Sequence, residues 1–278
     1  MKLITTDAQL RAHIPNIIAS VKGEVPFIER LALFLDLAED WVKTTFTSES
    51  TFNTICGYTD SNNIKILCLR LVVADALRRA IPSLDIVLTP NGFGVVNTSN
   101  LAPASKPRVD RLVDSMLAHR DDCIAALLPE LVGASKWLTS SQADFFGATL
   151  FPNLGIVDAI GGATGSKWEK YLELRSKVIV LEASLAEEWL SPELMEHLRF
   201  GNLRRTLSTV EAEIVRLVQA QIIAYLTVGS FNSRRLADIV NYIRQRPDDF
   251  PMWHHSATAE LFSPPVFRNK KKSTGYFF

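Results

Sequence analysis

The stretch FIERLALFLDLAEDWV, residues 27–42, decides the fold class of this chain. Its apolar residues recur at intervals of three and four, which is the period of an α-helix that buries one face. The members of this stripe are Phe27, Leu31, Phe34, Leu35, Ala38, Trp41 and Val42. Four further stripes begin near Val109, Trp168, Val210 and Leu236. The sequence therefore predicts a mainly α protein.

The end of this stretch recurs later in the chain. Leu37-Ala-Glu-Asp-Trp41 is matched by Leu185-Ala-Glu-Glu-Trp189 at an offset of 148 residues, and the apolar positions further on match at an offset of 127. This pattern predicts a duplicated unit. We expect two pseudo-repeated helical bundles, in residues 1–135 and 136–256. The alternative is chance, because helical stripes align with one another easily.

One segment carries a β signal instead. Leu84 to Leu88 and Phe93 to Val96 are β-prone runs, and Pro90, Asn91 and Gly92 between them are typical of a turn. The sequence predicts a β-hairpin at about 84–97, inserted in the first bundle. An isolated hairpin is marginal in water. We therefore expect its residues Pro90, Asn91 and Phe93 to pack on the bundle or to contact another chain.

Residues 257–278 show little helical pattern and are predicted to form an extended docking tail. Burying one aromatic side chain contributes on the order of 1.5–3 kcal/mol, so we expect the tail to dock on its own body or in a neighbour's groove. Its basic run could also contact an acidic surface or nucleic acid, or serve as a solvated spacer. The predicted contact residues are Phe267, Arg268, Lys270, Lys271, Lys272, Tyr276, Phe277 and Phe278.

Composition excludes several classes of protein. The 278 residues include 30 basic and 30 acidic ones, so the net charge is zero, which argues against gripping long nucleic acid by charge alone. A hydrophobic content of 47% excludes a wholly disordered chain. Cys56, Cys68 and Cys123 lack CxxC spacing and are expected to be reduced, mostly buried thiols. We expect no signal peptide, no membrane partner and synthesis in a reducing cytoplasm.

The motifs that invite a chemical interpretation are weak. The run GGATGSK, residues 161–167, places Ser before Lys and so departs from the phosphate-loop pattern, which favours a linker ahead of a helix over an anion site. His254 and His255 lie near Asp248 and Asp249, but adjacent histidines in an extended chain point to opposite sides. We predict no catalytic residue, no cofactor site and no metal site, and therefore not an enzyme.

Three charged residues fall where apolar stripes should continue: Arg120, Arg175 and Glu182. One interpretation is that they sit at the edges of the stripes and reach water. The other is that these helix faces meet another subunit through charge pairs.

Parts of the chain resemble a family of uncharacterised virion structural proteins from phages and prophages of Bacteroides-type bacteria, taken for head–tail adaptor or connector components. The similar stretches are residues 3–15, 84–111 and 267–278, and the run TPNGFGVV with the later APASK is the specific part. The resemblance brings no catalytic residues with it.

The resemblance implies a helical protein of the virion neck, made in the host cytoplasm. It implies a closed homo-oligomeric ring, twelve-fold by family analogy, between the portal protein and adjacent neck or tail proteins, with viral DNA passing through the channel. A ring needs heterologous contacts between identical chains, which hairpins and docking tails supply. The rival interpretations are a DNA-packaging or nucleic-acid-binding accessory and a hydrolase with an unrecognised site.

Overall fold

A computed structural model of the chain describes residues 1–14, 25–84, 86–89, 92–95, 105–134 and 136–263, with segments 86–89 and 92–95 described by their backbone. These residues are mainly helical, as the apolar stripes predict. The helices before residue 148 are α1 (Asp7–Ala12), α2 (Phe27–Arg30), α3 (Ala32–Val42), α4 (Glu49–Cys56), α5 (Asn63–Ala80), α6 (Lys106–Leu131) and α7 (Ser141–Gly147). Those after it are α8 (Gly155–Ala159), α9 (Lys167–Leu185), α10 (Pro192–Arg204), α11 (Thr209–Val228), α12 (Ser233–Arg244), α13 (Pro251–His254) and α14 (Ala257–Leu261).

Shorter helical pieces join some of these elements. Single 3₁₀ turns cover Ile81–Ser83 and Trp137–Thr139. Two π-helical turns, Lys43–Thr47 and Ala186–Leu190, follow α3 and α9; we call them the first and second π-turns. π-Turns are rare and interrupt the regular backbone pairing of a helix. Each of these two helices therefore ends in the same unusual way.

The core of the first half is built around α5, which packs against α3 and α6. Its apolar positions run almost all the way round the helix, so Leu71, Val72 and Ala76 are fully buried. Such a helix is stable only when neighbours cover several of its faces. The side chain of Asn62 caps its first turn by accepting a hydrogen bond from the Lys65 amide.

Strands β1 (Ile86–Thr89) and β2 (Gly92–Val95) pair antiparallel between α5 and α6. Ile86 lies opposite Val95, and Thr89 lies opposite Gly92. This backbone pairing falls inside the segment 84–97. What the two strands contact in an assembly stays a prediction.

Each π-turn is held by a tryptophan from a distant part of the chain. The Trp137 indole donates a hydrogen bond to the carbonyl oxygen of Phe46 in the first π-turn, at 2.6 Å. The Trp253 indole donates to the carbonyl of Trp189 in the second, at 2.9 Å. Both tryptophans are almost completely buried. Because a π-turn leaves carbonyls without regular partners, these indoles satisfy groups that burial would otherwise penalise.

The residues around these contacts also correspond. Ser140 and Ser256 each lie three residues after the tryptophan and donate to its carbonyl at 2.6 Å. Ser48 and Ser191 each follow a π-turn, with φ/ψ of 73°/158° and 70°/145°. A serine rarely adopts this backbone conformation, which is nearly confined to glycine. The same strained geometry thus occurs at the start of α4 and of α10.

A buried glutamate on each of α3 and α9 binds an extended segment through its backbone. Glu39 Oε1 accepts hydrogen bonds from the amides of Leu3 and Ile4, at 2.9 and 3.2 Å. Glu182 Oε1 accepts from the amide of Leu150, at 2.8 Å. The two carboxylates therefore fix the segments that precede α1 and α8.

These contacts do not follow the offset of 148 residues that the sequence predicts. The match of Leu37–Trp41 with Leu185–Trp189 aligns Leu37 with Leu185. The Leu37 side chain is 45% exposed and the Leu185 side chain is 1% exposed, so the two runs do not occupy equivalent positions in the fold. Equivalent contacts instead recur at an offset of 143 for Glu39 and Glu182, and of 116 for Trp137 and Trp253. Short identical runs align easily on helices, whereas contacts depend on which face is buried.

Two predicted boundaries meet different outcomes. Residues 136–147 contact both halves: Gln142 donates to the carbonyl of Thr44, and α7 also packs against α10. The division at 135/136 stays a prediction.

The sequence predicts that the extended tail starts at 257. This is wrong for Ala257–Leu261, which form α14, because the Ser256 side chain accepts a hydrogen bond from the Ala259 amide and caps the helix.

Candidate interaction surface

The predicted contact residues are distributed as follows. Phe93 lies in β2, where its backbone pairs with Leu88. Pro90 and Asn91 lie outside the described residues. The same holds for the tail positions Phe267, Arg268, Lys270, Lys271, Lys272, Tyr276, Phe277 and Phe278. The contacts of these residues remain predictions.

The three charged residues that interrupt the stripes bind inside the chain. Glu182 is fully buried and pairs with Arg199 at 2.6 Å. Arg120 is 3% exposed. Arg175 lies over the Phe145 ring and donates to the Phe145 carbonyl at 2.8 Å. Both sequence interpretations, stripe edge and subunit contact, are therefore wrong for Arg120 and Glu182.

Arg120 belongs to a buried charge network at the junction of the two halves. Its guanidinium donates to Asp121 Oδ1 at 2.8 Å and to Ser166 Oγ at 2.7 Å, and lies 3.7 Å from Asp75. Asp75 is fully buried and also pairs with Arg79 at 2.6 Å. Buried charges are tolerated only when they are paired and hydrogen-bonded. The network ties α5 and α6 to the start of α9.

The glycine-rich loop 161–167 leads into α9, and the first amides of α9 already have hydrogen-bond acceptors within the chain. Asp121 Oδ2 accepts from the amide of Lys167 at 2.6 Å, and Ser166 Oγ accepts from the amide of Glu169 at 3.1 Å. These first-turn amides are the groups that would hold a phosphate. The protein's own carboxylate occupies this place, which agrees with a linker that leads into α9.

An open cleft of about 550 Å³ lies between α7, α9, the second π-turn and α10. Its floor is apolar and includes Ile179, Ala183, Ala186, Met195 and Phe200. Ile179 remains 36% exposed. We call this the acidic cleft, because Asp144, Glu187 and Glu196 stand on its rim.

The charge of the acidic cleft is not balanced by its own residues. Among the described residues that line it, Arg199 is the one cation, and its guanidinium is bound to Glu182. Burial raises the pKa of Glu182, whereas Arg199 and the Leu150 amide act to lower it. None of Asp144, Glu187 and Glu196 pairs with a cation among the described side chains. The rim therefore presents uncompensated negative charge beside an apolar floor.

Exposed apolar side chains lie on the outer faces of α3 and α9. Leu33 and Leu37 are 67% and 45% exposed on α3, and Val180 is 67% exposed on α9. Val180 follows Leu37 at the same offset of 143 that relates Glu39 to Glu182. Single exposed apolar side chains are ordinary on a protein surface.

A second cleft, of about 450 Å³, lies where α6, α8, α10 and α11 meet. Two of its polar side chains are already engaged, because Asn202 and Gln219 both donate to the Leu150 carbonyl, at 2.9 and 2.6 Å. They hold the segment after α7 in place. These two side chains therefore stabilise the fold.

The described histidines, cysteines and carboxylates form no group of three or more placed to hold a metal ion. His254 Nε2 donates a hydrogen bond to the Ile243 carbonyl at 3.2 Å, which joins α13 to α12. Cys68 and Cys123 are buried and Cys56 is half-buried, which confirms that the cysteines are mostly buried; their reduced state stays a prediction. In the part of the chain that the structure describes, none of the helices has the length and apolarity needed to span a bilayer.

Comparison with known proteins gives one match. A family described as "Family of unknown function (DUF6712)" matches residues 26–147. The matched range begins just before α2 and ends at the last residue of α7, so it includes the first π-turn and its tryptophan Trp137. No curated protein and no solved structure matches the chain. The chain is similar to this family over its first half.

Proposed function

We propose that this protein is a structural connector of a phage neck, which assembles into a ring between portal and tail and lets the genome pass. The observation that carries the proposal is the exposed apolar pair Leu37 and Val180, one on each half. Residues that remain exposed at the same place in two similar units suit contacts with neighbouring copies. The resemblance of residues 84–111 and 267–278 to virion proteins supports the same conclusion.

The proposal includes an internal duplication. Four pairs of contacts support it: the glutamates that bind extended segments, the serines after the π-turns, the tryptophans that hold the π-turns, and the serines that follow those tryptophans. Their order along the chain is the same in both halves. A duplicated unit offers two surfaces from one chain, and a head-to-tail ring uses two different patches of each chain.

The hairpin and the tail are the proposed interlocking devices. Strand addition at a hairpin edge and insertion of aromatic side chains in a groove are common ways to join chains. Zero net charge is compatible with a channel through which DNA must slide, because strong attraction would hold it. The partners proposed are further copies, the portal protein and the adjacent neck or tail proteins.

Assembly tests the proposal. We expect the full-length chain, mixed with purified portal rings, to give a portal-bound ring by light scattering and electron microscopy. Deleting residues 263–278 should reduce this assembly, and so should the double substitution Leu37→Lys with Val180→Lys. Arg216→Lys on exposed α11 is the matched control and should assemble normally. Unimpaired assembly of both altered proteins would refute the interlocking role.

The same samples separate the rival functions. A DNA-binding accessory would bind duplex DNA with an affinity that falls steeply with salt. A hydrolase would turn over a substrate without the portal. Either result without portal-dependent assembly would replace the connector proposal.

A further inference from the structure

The acidic cleft lies close to α14 and to the last residues that the structure describes. Thr258 of α14 reaches the carbonyl of Glu187 on the rim, 3.4 Å away, and Phe262 packs on Trp189 with ring centroids 5.7 Å apart. Ser263 is the last described residue. Residues 264–278 therefore start within a short distance of the cleft.

The chemistry of those residues complements the cleft. They contain Arg268 and three lysines at 270–272, followed by three aromatic residues at 276–278. The cleft offers rim carboxylates for the cations and an apolar floor for the rings. Residues 187–196, which build much of the rim, contain four glutamates and no basic residue. Opposite charge around an apolar patch is the usual composition of a specific docking site.

The reach is sufficient in the same chain. Five residues from Ser263 to Arg268 span up to about 17 Å, and nine residues to Lys272 span up to about 30 Å. A short tether of this kind gives an effective concentration in the millimolar range. At low protein concentration, the chain's own tail therefore occupies the cleft ahead of the tail of another molecule.

We propose that residues 264–278 dock in the acidic cleft of their own chain, with the basic run on Glu187 and Glu196 and the aromatic residues toward Ile179 and Phe200. Docking in this way covers, in the isolated chain, the segment that a connector would offer to its neighbours. The inference concerns the isolated protein and does not rest on the connector function.

Zero-length carbodiimide cross-linking of the full-length protein tests the docking directly. An equal mixture of unlabelled and ¹⁵N-labelled chains is treated, digested and analysed by mass spectrometry. We expect links from Lys270, Lys271 or Lys272 to Glu187 or Glu196, each within one isotope. Mixed-isotope links would assign the cleft to a neighbour's tail and overturn docking within one chain. The absence of any such link would overturn the docking itself.

Protection from trypsin gives a second measurement on intact chains. A docked basic run is cleaved slowly, and Glu187→Lys with Glu196→Lys should raise the cleavage rate about three- to tenfold, since each exposed charge pair contributes modestly. Glu213→Lys, on exposed α11, is the control and should leave the rate unchanged. A charge-swap variant adds Lys270→Glu, Lys271→Glu and Lys272→Glu to the two cleft substitutions. Because these changes remove trypsin sites, cleavage of its tail is followed with chymotrypsin at Tyr276. We expect protection to return in this variant.

The outcome is separable from that of the assembly experiment. Equal cleavage rates in the natural protein and the cleft variant would overturn docking even if portal-bound rings form. Protection and same-isotope links would support docking even if deletion of residues 263–278 leaves assembly intact. High salt should also raise the trypsin rate of the natural protein, because screening weakens exposed charge pairs.

Discussion

The indole nitrogen of Trp137 lies 2.6 Å from the carbonyl oxygen of Phe46, although the two residues are 91 positions apart in the sequence. The bond joins the segment after α6 to the π-turn after α3. A similar bond, from Trp253 to Trp189, joins α13 to the π-turn after α9. In both places an indole from a distant segment binds a carbonyl of a π-turn, and the first prediction concerns these two bonds.

Replacing Trp137 with Phe should destabilise the protein by about 1–3 kcal/mol, plus a packing loss, because the Phe46 carbonyl would be left buried without a donor. Trp253→Phe should have a similar effect. The losses of the two substitutions should add in the double variant, because the two sites are independent. Urea unfolding followed by circular dichroism measures both. Leu261→Ala, at a position 71% exposed, is the control and should change the free energy of unfolding by less than about 0.5 kcal/mol. A Trp137→Phe protein as stable as this control would contradict the role of the bond.

The two buried glutamates should respond differently to the same substitution. Glu182→Gln leaves Arg199 without its carboxylate and should cost about 1–3 kcal/mol at pH 7. Glu39 pairs with no cation at such a distance among the described side chains; it binds backbone amides, which a glutamine oxygen can also accept. We therefore expect Glu39→Gln to be neutral or stabilising. Equal losses in the two variants, by urea unfolding, would rule out this distinction.

Glu39 also predicts a dependence of stability on pH. Burial raises the pKa of its carboxyl above the ordinary 4.5. The folded state thus holds the proton more tightly than the unfolded state, so this group's contribution to stability falls as pH rises from about 4.5 through the raised value. The free energy of unfolding of Glu39→Gln, relative to the natural protein, should therefore increase over that interval. A constant difference across the interval would show that the carboxyl titrates normally.

Removing Arg120 should be among the most damaging single changes. Arg120→Met leaves Asp121 and Asp75 buried with one guanidinium fewer, and breaking a buried ion pair in this way costs about 3–5 kcal/mol. Thermal and urea unfolding measure the loss. Arg216→Met removes an exposed pair with Glu213 and should cost at most about 1 kcal/mol. If both substitutions had equally small effects, the network at the junction would be dispensable.

The three thiols should react in a fixed order. Burial raises the pKa of Cys123 to about 11 and raises the pKa of Cys68 further, whereas Cys56 is half-buried. Only the thiolate reacts rapidly, and it must be accessible. Iodoacetamide followed by peptide mass mapping should label Cys56 first, Cys123 more slowly and Cys68 only on unfolding. Early labelling of Cys68 would contradict its burial beside α6.

Local patterns predicted the helices well. The stripe in residues 27–42 identifies α3, and the stripe that begins near Val109 identifies α6, because helical periodicity depends on neighbouring residues. The same reasoning failed at Ala257–Leu261, where the apolar pattern is too short to register. A helix of one turn depends on its cap, here Ser256, more than on a stripe.

The charged residues that interrupt the apolar stripes are harder to interpret from the sequence. Arg120 and Glu182 looked like stripe edges or subunit contacts, yet each has a partner inside the chain, Ser166 and Arg199. The signal that could have found them is a charge in the middle of an apolar face, which implies a buried partner. The sequence does not say that Arg120 also reaches Ser166, 46 positions away, or that Glu182 pairs with Arg199, 17 positions away.

The amino-acid sequence by itself determined that this is a helical protein with balanced charge, three cysteines without CxxC spacing and a basic, aromatic segment at 267–278. These properties follow from composition and from the spacing of neighbouring residues. Only the tertiary structure decided that Trp137 and Trp253 bind the carbonyls of the two π-turns, and that the carboxylates of α7, the second π-turn and α10 surround one cleft. Contacts of this kind form between faces that meet only when the chain has folded.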